Sequence, residues 1–141
     1  MSKIAKRNGE NEIGTLADFL NDGFSESRIV KVGLKDGQIP FYVGMLIGPG
    51  APIEVVEDST GEVAQIPTWV FKPLLDSNGK VRENVTDVMM TSHQLNGECA
   101  RIFAQCERTG RKALVAIQAD GQVDTRKGRR VNAYRVAEKF V

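Results

Sequence analysis

The hydrophobic period changes along the chain, and each change marks a different kind of element. Residues 1–12 carry no apolar period, with Lys3, Lys6 and Arg7 followed by Glu10 and Glu12, and residues 1–14 read as a flexible arm. A short amphipathic helix is expected next, capped by Thr15 and using Leu16, Phe19 and Leu20 as its apolar positions. From Arg28 the period is two. Residues 28–34 form a predicted strand in which Val30, Val32 and Leu34 alternate with Lys31 and Lys35. Asp36-Gly37 carries a hairpin-turn signal, and residues 41–47 follow as a second strand. There Phe41, Val43, Met45 and Ile47 share the face expected to be core, which leaves Tyr42 and Gly44 on an open surface. Residues 48–52, rich in Gly and Pro, break this strand. Further extended segments are predicted at 53–56 and 63–75, the second interrupted by Pro67 and Pro73, which belong at edges, bends or bulges. Residues 81–90 are ambiguous, with strand character near Val85, Val88 and Met89.

The period then becomes helical. Leu95, Cys99, Ile102, Phe103 and Cys106 are spaced i, i+4, i+7, i+8 and i+11, a single apolar stripe, with Thr91 or Ser92 as cap and Gly110 as stop. Residues 112–118 and 130–137 follow as two strands of a final hairpin, connected by 119–129 with Gly121 and Gly128. The fold expected is mainly β with one principal helix: an OB-fold-like five-stranded Greek-key barrel, its helix between strands 3 and 4, formed by residues 15–141 as a single domain. An SH3-like barrel with an inserted helix is the alternative with a similar order.

Length agrees with one domain, since 141 residues are too few for two ordinary ones. A hydrophobic fraction of 41% with 26% charged residues excludes disorder of the whole chain. No apolar run approaches the ~20 residues of a membrane helix, and no apolar segment behind the basic N-terminal residues marks a secretory signal. A cytoplasmic protein is expected, in the host cytoplasm if the source is viral. The formal net charge of +1 excludes a uniformly basic protein, yet it conceals an asymmetry. Residues 1–100 hold 9 basic and 14 acidic side chains, whereas residues 101–141 hold 10 basic and 4 acidic.

Cys99 and Cys106 stand seven residues apart on the predicted helix, roughly 10 Å along its axis, too far for a disulfide between them. With His93 as the sole histidine, neither a zinc-ligand spacing nor an activated Cys–His pair is present, so no metal, cofactor or catalytic residue is expected. Gly48-Pro-Gly50 lacks the Gly-Lys-Ser/Thr ending of a phosphate-binding loop.

In the layout of residues 28–141, and in the last strand Arg129-Arg-Val-Asn-Ala-Tyr-Arg-Val136, the chain resembles the phage- or plasmid-type OB-fold single-stranded DNA-binding proteins. The resemblance implies a non-enzymatic accessory of replication, recombination or repair, with single-stranded DNA, or RNA, as partner and homo-oligomers as an option. Cellular bacterial relatives of that kind end in an acidic recruiting tail. This chain ends Ala-Glu-Lys-Phe-Val141, so recruitment through such a tail is not expected.

Binding single strands without sequence preference requires cations along the phosphates and aromatic faces for the bases. The aromatic candidates are Tyr42 beside Gly44, Trp69 and Phe71 on one face of their strand, and Tyr134. The cationic candidates are Lys31 and Lys35 on the polar side of the first strand, Arg111 and Lys112 after the helix, and Arg126, Lys127, Arg129 and Arg130 at the last connection. In an OB-fold the loop between strands 4 and 5 is one wall of the binding groove, which gives the last four their weight. The alternative is a viral structural or assembly module, or a protein-interaction module, using the same small barrel.

Overall fold

A computed structural model describes residues 14–124, 128 and 130–141. The expected arm at 1–14 lies, but for Gly14, outside the described residues. Helix α1 (Leu16–Asn21) starts at Thr15, whose hydroxyl accepts from Asp18 N–H while the Asp18 carboxylate accepts from Thr15 N–H, a reciprocal cap. Eight strands follow: β1 (Glu26–Lys31), β2 (Phe41–Pro49), β3 (Ile53–Val56), β4 (Val63–Ile66), β5 (Thr68–Pro73), β6 (Val85–Met90), β7 (Ala113–Asp124) and β8 (Arg130–Phe140). Helix α2 (His93–Thr109) stands between β6 and β7, capped by the Ser92 hydroxyl and ended by Gly110 at φ 70°. The protein is mainly β with one principal helix.

Six strands form one sheet in the order β1-β6-β5-β2-β7-β8, and β3 with β4 forms a separate two-stranded sheet. The sheet is open, with β1 and β8 as its edges, and it holds six strands where the expected OB-fold-like barrel has five. The Asp36-Gly37 turn does form, with Gly37 at φ 79°, but it makes no β1–β2 hairpin. Strand β1 instead pairs in parallel with β6, placing Arg28 opposite Asp87. The predicted extended segment 63–75 is divided at Pro67. There the chain leaves the β3–β4 hairpin for the main sheet, and the Pro67 carbonyl accepts from both Thr91 N–H and Thr91 Oγ1. The final hairpin runs longer than expected. Its register shifts between Ala119 and Gln122, around Gly121 at φ 84°, a bulge that re-aims the ribbon beyond it.

Inner faces of the sheet and the apolar stripe of α2 build one core. Leu95, Cys99, Ile102 and Cys106 are buried as the helical period predicts. The phase of β2 is the reverse of expectation: Tyr42, Gly44, Leu46 and Gly48 face inward, while Phe41 and Ile47 are exposed. The cause lies across the sheet. Asp87 is fully buried on β6, and its carboxylate accepts from Arg28 Nε (2.7 Å), Arg28 Nη2 (2.9 Å) and Tyr42 Oη (2.7 Å). Gly44 does leave room for a flat group, but the group is the Tyr42 ring itself. A Cβ on Gly44 would lie 2.8 Å from Tyr42 Cε2.

Burial also raises the cost of ionising Tyr42, Cys99 and, at the end of the stripe, Cys106. Burial, reinforced by the Glu98 charge, pushes the Cys99 thiol up to about 12, and burial and the hydrogen bond to Asp87 hold the Tyr42 phenol far above its ordinary range. Folded-state pKa values above the unfolded ones mean that the native state retains protons the unfolded chain loses. The Cys99 contribution is therefore complete below about pH 9 and falls above it, and the Tyr42 contribution is complete below about pH 10 and falls above that, each by about 1.4 kcal/mol per pH unit. Urea midpoints measured from pH 7 to 10.5 are expected to fall from about pH 9, with Cys99→Ala flattening the first part of the decline.

Candidate functional site

Two projections rise beside the seam between the sheet edges. One is the β3–β4 hairpin, inserted between β2 and β5, in which Ile53 pairs with Ile66 and Val55 with Ala64. A two-stranded hairpin is marginal by itself, and one member of each pair, Ile66 and Val55, turns toward the main sheet. The other is the ribbon of β7 and β8 beyond the bulge, whose last pair is Asp124 with Arg130. Between them lies a groove of about 270 Å³ lined by Lys31, Val55, Ile66, Met90, Thr91, Ser92, Asn132 and Tyr134.

Each lining group has a clear local origin. Lys31 is the exposed last residue of β1, in a strand whose alternation buries Val30. Tyr134 is half-buried on β8, and its hydroxyl donates to the Val32 carbonyl (3.3 Å) while accepting from Asn132 Nδ2 (3.4 Å). That bond ties edge strand β8 to the end of β1 and closes one side of the groove. The floor includes Ser92, the cap of α2, whose first turn has no acidic residue to offset the partial positive charge of the helix terminus. The groove thus combines one aromatic ring, one ammonium group, an amide, hydroxyls and an apolar wall. Among the described residues no group of three or more His, Cys, Asp and Glu is placed to hold a metal ion.

Of the residues singled out from the sequence, Lys31 and Tyr134 meet in this groove. Three of the four aromatic candidates do not. Tyr42 and Trp69 are 6% exposed and Phe71 is fully buried, so none offers a ring face to a base. The Tyr42 and Phe71 rings pack edge to face at 5.6 Å, and Trp69 packs against Phe103 at 5.8 Å while its Nε1 donates to Asn96 Oδ1 (2.8 Å). The polar atoms of Tyr42 and Trp69 find inward partners in Asp87 and Asn96, and Phe71 is held in the core by ring packing alone. Lys35 is exposed on the β1–β2 turn. Arg111 and Lys112 are exposed beyond the C-terminus of α2. The 17 residues of that helix, about 25 Å, separate them from Ser92 and the groove. Arg126, Lys127 and Arg129 lie outside the described residues, and Arg130 enters only through its backbone pairing with Asp124.

Sequence reasoning passed over Asn132, Val55 and Ile66 as groove residues. The repeated Ile/Val pairing across residues 53–56 and 63–66 was the available signal, because such alternation needs a surface to cover. No protein-family model, curated protein or solved structure matches the chain. No helix among the described residues is long and apolar enough to cross a membrane.

Proposed function

We propose that this protein is a non-enzymatic, cytoplasmic OB-fold protein that binds single-stranded DNA with little sequence preference, as an accessory of replication, recombination or repair. The observation that carries the reading is the groove between two projecting hairpins, where Lys31, Tyr134 and Asn132 converge. The topology supports it. Strands β2, β5 and β6 are consecutive antiparallel neighbours, and β7 returns through α2 to lie beside β2, which is Greek-key order. With β8 these make five strands, the number in a partly open OB barrel, and α2 falls between the third and fourth. Strand β1 then occupies the seam between the third and fifth strands. In this correspondence the β3–β4 hairpin is the loop between barrel strands 1 and 2, and the connection from β7 to β8 takes the place of the loop between strands 4 and 5. Those two loops wall the ligand groove of OB folds.

Binding on this scheme relies on phosphate contacts and the Tyr134 ring rather than on a row of stacked aromatics. Fluorescence anisotropy of a labelled dT oligonucleotide across a salt series tests it. Affinity is expected to fall steeply with salt, with a log–log slope of about −0.7 for each phosphate contacted. Tyr134→Ala is expected to weaken binding roughly 10-fold. No binding at low salt with micromolar protein overturns the reading. A structural or assembly module is the second reading, favoured by the exposed apolar Ile47 and Leu75 on the outer surface. A large closed assembly in light scattering, indifferent to oligonucleotide, would select it.

A further inference from the structure

We propose that the outer face of the sheet carries a second nucleotide subsite, built by Phe41, Gln118 and Arg135, for the same single strand that enters the groove. The proposal rests on the nucleic-acid reading of the groove. Strand register sets these three residues in one row across β2, β7 and β8, because Phe41 pairs with Gln118 and Gln118 with Arg135. Beside that row Ala116 pairs with Ala137, and the short methyl side chains leave a recess of about 230 Å³ walled by the larger three. Pockets that enclose a drug-sized ligand are about 300–1,000 Å³. This one suits a single ring that stays attached to a chain outside.

An exposed phenylalanine is ordinary on its own. Here it is 56% exposed beside a guanidinium and a carboxamide that have no hydrogen-bond or ion-pair partner among the described residues. A ring face receives any base, the planar guanidinium stacks on that base or pairs with a phosphate, and the amide meets base edges. Continuity with the groove identifies the occupant. Tyr134 and Arg135 are consecutive on edge strand β8, and strand alternation sends the first into the groove and the second into the recess. A strand that leaves the groove over this edge meets the recess directly.

The experiment compares a dT oligonucleotide of about 5 nucleotides with one of about 20, a range suggested by the ~4–16 nucleotides bound per OB fold. Phe41→Ala and Arg135→Gln are expected to leave the short oligonucleotide within 2-fold of wild type. On the long one, Phe41→Ala is expected to lose roughly 5- to 20-fold, and Arg135→Gln to reduce the salt slope by about 0.7. Phe41→Trp adds an exposed indole whose emission is expected to be quenched by the long oligonucleotide alone. If wild type binds the long oligonucleotide and neither variant changes affinity or slope, the subsite is overturned while the groove stands. If wild type binds neither length, the nucleic-acid reading fails and takes the subsite with it.

Discussion

Asp87→Ala is expected to destabilise the protein by about 2–4 kcal/mol, because it leaves the buried Tyr42 hydroxyl without its acceptor and removes the bidentate partner of the partly exposed Arg28 guanidinium. Against a total stability of about 5–15 kcal/mol, this loss leaves a protein near its unfolding threshold, which urea titration reads as a large fall in midpoint. The reason is topological as well as energetic. β1 joins the sheet only by parallel pairing with β6, and the bidentate Arg28–Asp87 contact fixes its register at the centre of that pairing. Asp87→Asn is expected to cost less than the alanine change. It keeps an acceptor for Tyr42, and the Arg28 side chain, 38% exposed, turns its charge toward water. Replacing all three polar partners by apolar residues of similar size, Arg28→Met with Tyr42→Phe and Asp87→Leu, is expected to recover most of the loss, since desolvating the charges offsets much of their attraction. A triple variant as unstable as Asp87→Ala would place the stabilisation in the packing of β1 rather than in the removal of an unpaired charge.

That network also explains what the sequence could and could not reveal. Residues 95–106 were legible because helical spacing is local, and four positions of the stripe are buried where the period places them. The cap at Thr15, the stop at Gly110 and the final hairpin were local signals of the same kind. The phase of β2 was not. Hydrophobicity favours Phe41, Val43, Met45 and Ile47 as the inner row, whereas the distant Asp87 holds Tyr42 inward and with it the row of Gly44, Leu46 and Gly48. An acid among Val85, Val88 and Met89 was visible in the sequence, but its cationic partner stands 59 residues away in a parallel strand that no turn signal announces. The inversion carries straight into the candidate site. It moves Tyr42 into the core and Phe41 onto the surface, so the exposed ring of β2 is the neighbour of the one expected. Lys31 kept its place because Val30 and Val32 beside it are buried, and alternation of that strength tolerates no slip.

Replacing Arg126, Lys127, Arg129 and Arg130 together by Gln is expected to weaken binding to a long dT oligonucleotide by roughly 100-fold or more at low salt, and to reduce the log–log salt slope by about 3. The magnitude follows from counterion release, since each phosphate contact on a single strand contributes about 0.7 to that slope. The comparison that gives it meaning is Arg108→Gln with Arg111→Gln and Lys112→Gln, which removes cations from the same basic third of the chain. These three lie at the far end of α2 from the groove, about 25 Å from Ser92 over the helix's 17 residues. A Debye length of about 8–10 Å at physiological salt screens them from a ligand held there. They are expected to change affinity less than 3-fold and to leave the slope unaltered. Equal losses in the two sets would mean that binding follows net charge and not the groove. A loss confined to the 126–130 set, with Tyr134→Ala adding its own decrement, assigns the phosphates to the β7–β8 connection and the base to the ring at its root.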